Sequence, residues 1–312
     1  MTNPFTMINI SFYRFVLQQY KTVFLFVCFL CLTGVDASSQ KKSNKEEWIQ
    51  LFNGKDLNDW DTKITGYELN ENFGNTFRVE DGLLKVRYDQ YEKFTRQFGH
   101  IYYKQPFSYY KVRIEYRFVG EQAKGGAPGN ERNSGVMLHS QAPQTITKNQ
   151  LFPISLEFQF LGGLGKGPRP TGSLCTPGTY VEMNGKDTMA HCINSSSKTY
   201  DGNQWVRVEA VVLGDSIIHH IVEGDTVLTY QQPKIGETDP RYKTAFLNEE
   251  WQSKIGSPLK EGYIALQAES HPIEFRKVEL LNLKGCMNPK CEYYKSYYIV
   301  QGDCECQSKK KK

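Results

Sequence analysis

The 312-residue sequence has little of what several common functional classes require. Its apolar N-terminal run, residues 23–32, has ten residues against the roughly 20 of a membrane-spanning helix, so no span is expected in the mature form. No glycine fingerprint follows a strand and opens a helix, which argues against a bound dinucleotide. The glycine-rich stretch 162–172 is followed neither by Gly-Lys-Ser/Thr nor by a helical pattern, so it reads as a flexible rim loop and not as a phosphate cradle. Internal repeats are lacking, helical periodicity is scarce, and no compact metal motif is present. Basic charge on the folded part is lacking as well. The formal charge of +4 is carried by the ends: without Arg14, Lys21, Asp36, Lys41, Lys42, Lys45 and Lys309 to Lys312, residues 46–308 carry −4. A nucleic-acid binder needs a basic face on the domain itself, so that class is disfavoured.

What is present begins with an export signal. Residues 1–35 hold no acid, carry Arg14 and Lys21, and lead through the apolar run to Val35-Asp36-Ala37, a small-residue cleavage site. Residues 1–37 are expected to be a signal peptide. Val27 before Cys28 and Leu30 before Cys31 do not suit a lipoprotein site, so soluble export is expected, to the periplasm or to the cell surface and exterior. Six cysteines lie beyond the signal: Cys175, Cys192, Cys286, Cys291, Cys304 and Cys306. An even count in an oxidising compartment reads as disulfides. Cys175 and Cys192 could staple one loop and the other four a short tail, with connectivity left open. Zinc is the alternative for the C-terminal four, although their spacings match no standard finger or ribbon.

After a polar linker, 38–46, the chain shows short β-type runs. Phe77 to Val86 is a hairpin signal with Asp81-Gly82 between alternating strands, Tyr109 to Val119 is a long strand, and a second hairpin flanks Leu213-Gly214-Asp215. Asp239 and Pro240 could open a short helix within 238–251. About a dozen strands in some 235 residues indicate an all-β sandwich of two antiparallel sheets, one domain over 47–283, followed by a Cys-rich tail, 284–312.

The segment 151–161 organises the chemistry. Ile154, Leu156, Phe158 and Phe160 alternate with Ser155, Glu157 and Gln159, so the apolar set reads as core, with Glu157 and Gln159 on the opposite face. Two other segments repeat the pattern: Val136 and Leu138 against Gly135, Met137 and His139, and Ile264, Leu266 and Ala268 against Gln267 and Glu269. His139, Glu157, Gln159, Gln267 and Glu269 are therefore expected on one sheet surface.

In Trp48-Ile49-Gln50-Leu51-Phe52-Asn53-Gly54-Lys55-Asp56-Leu57-Asn58-Asp59-Trp60 the chain resembles the opening of the 3-keto-disaccharide hydrolase family. Asn133-Ser134-Gly135-Val136, the Glu157 strand, Thr171-Gly172-Ser173, Asn203-Gln204-Trp205, Gly262 to Gln267 and Ile273 to Val278 resemble its later blocks in order. The resemblance covers about 47–283 and is to a secreted member of Bacteroidetes type. It implies a concanavalin A-like jelly roll whose concave sheet carries a sugar site. It also implies cleavage of glycosides already oxidised to a ketone at carbon 3.

Ordinary glycosidases of this fold place two acids on one strand, as Glu-x-Asp-x-x-Glu, but here Gln159 stands where the second acid would be. A carbon-3 ketone removes the need for that pair. It acidifies the proton on carbon 2, a base abstracts it, the carbon-1 substituent leaves, and water adds back. On this reading Glu157 or His271 is the base, and His139 and Arg276 steady the enolate or leaving oxygen. Gln159, Gln267 and Glu269 bind hydroxyls. No cofactor is fixed by the sequence, and His139, Glu157 and Glu269 could together hold a divalent metal. With no dinucleotide site, a separate sugar 3-dehydrogenase must make the substrate. The rival readings are a non-catalytic carbohydrate-binding module and an ordinary endo-glycosidase.

Overall fold

The structure, a computed structural model, describes residues 45–236, 248–304 and 306. The signal peptide, the linker up to residue 44, Asp239 and Pro240, and the terminal lysines lie outside the described residues.

Among the described residues the chain forms β1 (Ile49–Gln50), β2 (Trp60–Ile64), β3 (Phe77–Glu80), β4 (Leu83–Val86), β5 (Gly99–Tyr103), β6 (Tyr109–Phe118), β7 (Asn133–Ser140), β8 (Leu156–Leu161), β9 (Ser173–Cys175), β10 (Thr179–Met183), β11 (Lys186–Thr188), β12 (Cys192–Ile193), β13 (Val206–Leu213), β14 (Ile217–Val222), β15 (Asp225–Ile235), β16 (Tyr263–Ala268), β17 (Ile273–Asn282), β18 (Lys284–Gly285) and β19 (Val300–Gln301). A short helix, Glu249–Gln252, opens at Asn248, whose side chain accepts from the Glu250 amide. The larger sheet runs β11-β10-β15-β14-β13-β6-β17-β4-β3, with β1 beside β17. The smaller runs β12-β9-β8-β7-β16-β5-β2. Both are antiparallel throughout and pack face to face as the expected jelly-roll sandwich.

Alternation builds the layer between them. On β6, Tyr110, Val112, Ile114, Tyr116 and Phe118 are buried while their neighbours are half-exposed. They meet the apolar face of the smaller sheet, where Tyr116 stacks on Phe160 at 4.3 Å between ring centroids, and Phe158 stacks on His220 of β14 at 3.9 Å. His220 also bonds the Gly172 carbonyl at 2.9 Å and the Tyr230 hydroxyl at 3.0 Å, which satisfies both ring nitrogens. The 77–86 hairpin turns through Asp81 and Gly82 at φ 55° and 73°, the left-handed pair that a two-residue turn between twisted strands needs.

Ladder pairing starts later in 151–161 than alternation suggests, at Leu156. Before it, the Gln141 amide donates to the Ile154 carbonyl at 2.8 Å, while Gln141 Oε1 accepts from the Ile154 amide at 3.1 Å and from Gln150 Nε2 at 2.7 Å, so one residue satisfies both backbone groups of Ile154.

The cysteines pair as Cys175–Cys192, Cys286–Cys304 and Cys291–Cys306. The first links β9 to β12 at the edge of the smaller sheet, and the others hold the tail. Closing loops with separations of 17, 18 and 15 residues stabilises each by about 3 kcal/mol in the chain-entropy account. Three disulfides indicate an extracytoplasmic protein. Among the described residues no helix is long and apolar enough to cross a membrane.

Candidate active site

The outer face of the smaller sheet carries a buried polar row. Met137 of β7 pairs with Glu157 of β8 and Gly135 with Gln159, while Glu157 lies opposite Cys175 of β9. On the next strand, β16, Gln267 points the same way, as does Glu269 just past its end. With its amide nitrogen toward the acids, Gln267 donates to Glu269 Oε2 at 3.0 Å and to Glu157 Oε1 at 3.3 Å, an orientation set by the acceptors around it. Asn133 Nδ2 donates to Glu269 Oε2 at 2.8 Å, and Gln159 Nε2 to Asn133 Oδ1 at 3.3 Å. The order Gln159, Asn133, Glu269, Gln267, Glu157 is one continuous set of hydrogen bonds across three strands. Ser134 Oγ anchors it from below by donating to the Gln267 carbonyl at 2.8 Å.

Two carboxyl groups sharing one amide are not expected to be charged together. Burial raises the Glu157 carboxyl to about 8, against the pull of the Gln267 hydrogen bond. Burial and then the neighbouring Glu157 raise Glu269 well above the carboxylate range, with Arg169 opposing. The pair therefore retains a proton at neutral pH. Arg169 belongs to the 162–172 loop, which was expected to be a flexible rim. Its guanidinium donates to the carbonyls of Gly162 at 2.6 Å, Arg132 at 3.2 Å and Gly129 at 3.3 Å, so the loop is pinned beside the acids.

Gly135 makes room for the cluster. A Cβ there would lie 2.9 Å from both Cγ and Oε1 of Glu157. Gly135→Ala is expected to displace the carboxylate and lower turnover about 100-fold while leaving the protein folded. Steady-state kinetics beside a thermal melt check this.

Sequence alternation brings four of its expected residues to this face: Glu157, Gln159, Gln267 and Glu269. It misplaces His139, and Arg276, expected to steady the enolate, lies away from this face. His139 adopts φ 48° at a bulge where the pairing of β7 with β16 shifts register between Tyr263 and Ala265. The ring turns into the sandwich, where Nε2 bonds the Gly214 carbonyl at 3.1 Å and the edge meets Tyr110. Its pKa falls to about 4 through burial. Arg276 sits at a second bulge, on β17 of the other sheet, paired with Glu115 and 4.6 Å over Trp205. Neither can steady an enolate over Glu157. A metal on His139, Glu157 and Glu269 fails for the same reason, because its imidazole lies on the opposite side of the sheet. Among the described residues, the only groups of three or more His, Cys, Asp and Glu with ligating atoms mutually within 4.8 Å involve the disulfide cysteines, which also replaces zinc in the tail.

His271 follows Ser270, which has φ 81° and so breaks the alternation that would have continued from Gln267 and Glu269. Its ring packs edge-on against Phe118 at 5.6 Å, and both ring nitrogens lack hydrogen-bond partners. Burial, then Arg132 and Arg169, lower its pKa to about 4, so the imidazole is neutral. The residues missed by sequence reasoning are Asn133, Gly135 and Arg169. Asn133 and Gly135 stand in a block that carries the resemblance, and that was the available signal.

A family model described as the 3-keto-alpha-glucoside-1,2-lyase-like domain matches residues 47–281. The chain belongs to this family. The family implies a carbohydrate substrate. No curated protein matches the chain. Among solved structures, one from Parabacteroides distasonis ATCC 8503, provisionally designated a glycosyl hydrolase, is 17% identical, with 76% of this chain and 100% of that one covered at a TM-score of 0.44. The Bacillus licheniformis β-glucanase is 12% identical, covering 76% and 98% at 0.40. The carbohydrate-binding module CBM66 of Bacillus subtilis is 10% identical, covering 72% and 96% at 0.38.

Proposed function

We propose that the chain is an exported enzyme, periplasmic or extracellular, that cleaves 3-keto-glycosides by elimination followed by hydration. The observation that carries this reading is the buried pair Glu157 and Glu269 joined by the Gln267 amide. A pair that keeps a proton supplies a base and an acid from one cluster. Glu157 accepts the carbon-2 proton when ionised. Glu269, whose carboxyl is raised by burial and then by Glu157, delivers a proton to the oxygen departing from carbon 1. Electrons of the broken carbon–hydrogen bond form the double bond between carbons 1 and 2, and the bond to the leaving oxygen breaks. Water then adds its hydroxyl at carbon 1 and a proton returns to carbon 2. Asn133, Gln159 and Gln267 hold the acids and meet sugar hydroxyls. The ketone must come from a separate dehydrogenase acting at carbon 3.

One observation favours a second reading. Both acids bond the same nitrogen, so their oxygens stand within about 6 Å, close to the roughly 5–5.5 Å of retaining glycosidases. Those enzymes need one carboxylate held ionised. Elimination needs the same division, one carboxylate ionised as base and one protonated as acid, so the oxidation state of the cleaved substrate separates the two readings.

The test is release of the aglycone from a 4-nitrophenyl glucoside and from its 3-keto derivative by the purified mature protein. Release from the keto form alone supports the proposal. Release from the unoxidised glucoside establishes the ordinary glycosidase, and binding of both without release leaves a carbohydrate-binding module.

A further inference from the structure

Away from the acids, one end of the smaller sheet holds an open cavity of about 480 Å³, within the roughly 300–1,000 Å³ of small-molecule sites. Thr65, Tyr67, Arg96, Gln97, Asn149 and Leu151 are among the residues that line it. The β2–β5 ladder places it. Ile64 pairs with Gly99 and Gly99 with Ala268, and beyond those pairs the Thr65 amide donates to the Phe98 carbonyl at 2.9 Å. The cavity therefore sits level with Glu269 but two strands away from β16. Phe98, with the Phe152 ring 4.7 Å from it, heads the strand between.

Its walls are held by local bonds. The Gly66 amide donates to the Lys148 carbonyl at 2.8 Å, and Thr65 Oγ1 donates to the Gln150 carbonyl at 3.0 Å, so segments 65–67 and 148–151 are tied together. Tyr67 stacks on Phe73 at 4.3 Å between ring centroids, which sets the plane of its ring. In the third wall the Thr95 amide donates to Gln97 Oε1 at 2.5 Å, and Gln97 Nε2 donates to Thr95 Oγ1 at 2.9 Å. This closed pair holds Arg96 between them at φ 74°. A left-handed residue with a Cβ is strained, persists where its neighbours over-determine it, and is frequent at ligand sites.

Arg96 also differs from the other arginines. The rest pair with acids, as Arg87 does with Glu274 and Arg276 with Glu115, or donate to carbonyl oxygens, as Arg132 and Arg169 do. Among the described residues nothing bonds the Arg96 guanidinium, the Asn149 amide or the Tyr67 hydroxyl. No acid lines the cavity, and Glu68, next to Tyr67 in the chain, is taken up by Lys148 at 2.9 Å. A guanidinium fork meets the paired oxygens of a carboxylate or sulfate, and an amide, a phenol and an apolar wall suit a sugar ring. We propose that this cavity is a second carbohydrate site, for an acidic sugar unit that carries a carboxylate or a sulfate. The Arg96 guanidinium holds the anionic oxygens, Asn149 and Tyr67 meet neighbouring hydroxyls, and Leu151 is the apolar wall. The site does not depend on the chemistry at Glu157.

The test is titration of the nitrogen-15-labelled mature protein with methyl glucuronide, glucose 6-sulfate, methyl glucoside and inorganic sulfate. The readouts are the Arg96 Nε–H resonance, assigned by its loss in Arg96→Gln, and the Gly66 amide in the same cavity. At least one acidic sugar is expected to shift both, at concentrations where methyl glucoside and sulfate leave them unmoved. Which of the two acts distinguishes carboxylate from sulfate. In Arg96→Gln the Gly66 amide should report binding about tenfold weaker or less. Unmoved resonances with both acidic sugars overturn the proposal, as does wild-type affinity in Arg96→Gln. An equal response to methyl glucoside makes the cavity a neutral-sugar site, and an equal response to inorganic sulfate makes it an adventitious ion site only. Either result also overturns it.

Discussion

Glu157→Gln is expected to lower turnover of a 3-keto-glucoside about a thousandfold, the scale of a lost general base, and at the same time to make the protein more stable in mild alkali. The two effects have one cause. A carboxyl whose folded pKa lies above its unfolded value stabilises the fold while protonated, and that contribution is lost as pH rises through the folded value. For Glu157 the window runs from the ordinary 4.5 to about 8. The wild-type protein therefore loses stability across this range, whereas a neutral glutamine still accepts the Gln267 hydrogen bond and adds no buried charge. The variant should match wild type near pH 5 and exceed it by about 2 kcal/mol at pH 8.5, measured by urea unfolding at the two pH values. A variant that is inactive and less stable at pH 8.5 would mean that Glu157 is an ionised structural partner and not half of a shared-proton pair.

The second large effect is structural and lies one residue away. Phe158→Ala should cost about 4 kcal/mol, because the ring is fully buried, stacks on His220 and meets Phe160 edge-on at 5.7 Å. The loss reaches the chemistry because Phe158 is the inward anchor of the strand that holds Glu157 outward. Chemical denaturation with Phe158→Leu as the intermediate case checks the size. A cost below about 1 kcal/mol would show that β8 is held by its ladder bonds and not by its core face.

These residues show what was legible in the sequence. Period-two alternation in 154–160 gave both the core-facing ring and the acid on the opposite face, because a regular strand carries that period without exception. The same rule failed at His139, whose own left-handed backbone reverses the faces. Positive φ at a non-glycine residue leaves no mark in hydrophobic pattern, so this histidine looked like a site residue. Arg276 failed for a related reason, since the bulge on β17 and the assignment of that strand to the other sheet depend on long-range pairing. The carboxylate pair was half visible. Glu157 and Glu269 were both on the expected face, but their union through Gln267 depends on β7 and β16 being neighbours, and strand order is not written in local sequence. Likewise the 162–172 loop looked mobile from its glycines, yet Arg169 fixes it through backbone carbonyls, contacts that carry no sequence signature.

The account turns on whether the carbon-2 proton leaves. The decisive measurement is cleavage of 4-nitrophenyl 3-keto-glucoside in deuterium oxide, with the released sugar trapped by reduction at early times and compared with an enzyme-free control for spontaneous exchange. Elimination and hydration predict deuterium at carbon 2 of the product wherever Glu157 exchanges its proton before hydration, and a primary isotope effect on cleavage of the carbon-2-deuterated substrate in either case. Product carrying hydrogen there, formed with no such isotope effect, would contradict proton abstraction and leave direct displacement at carbon 1.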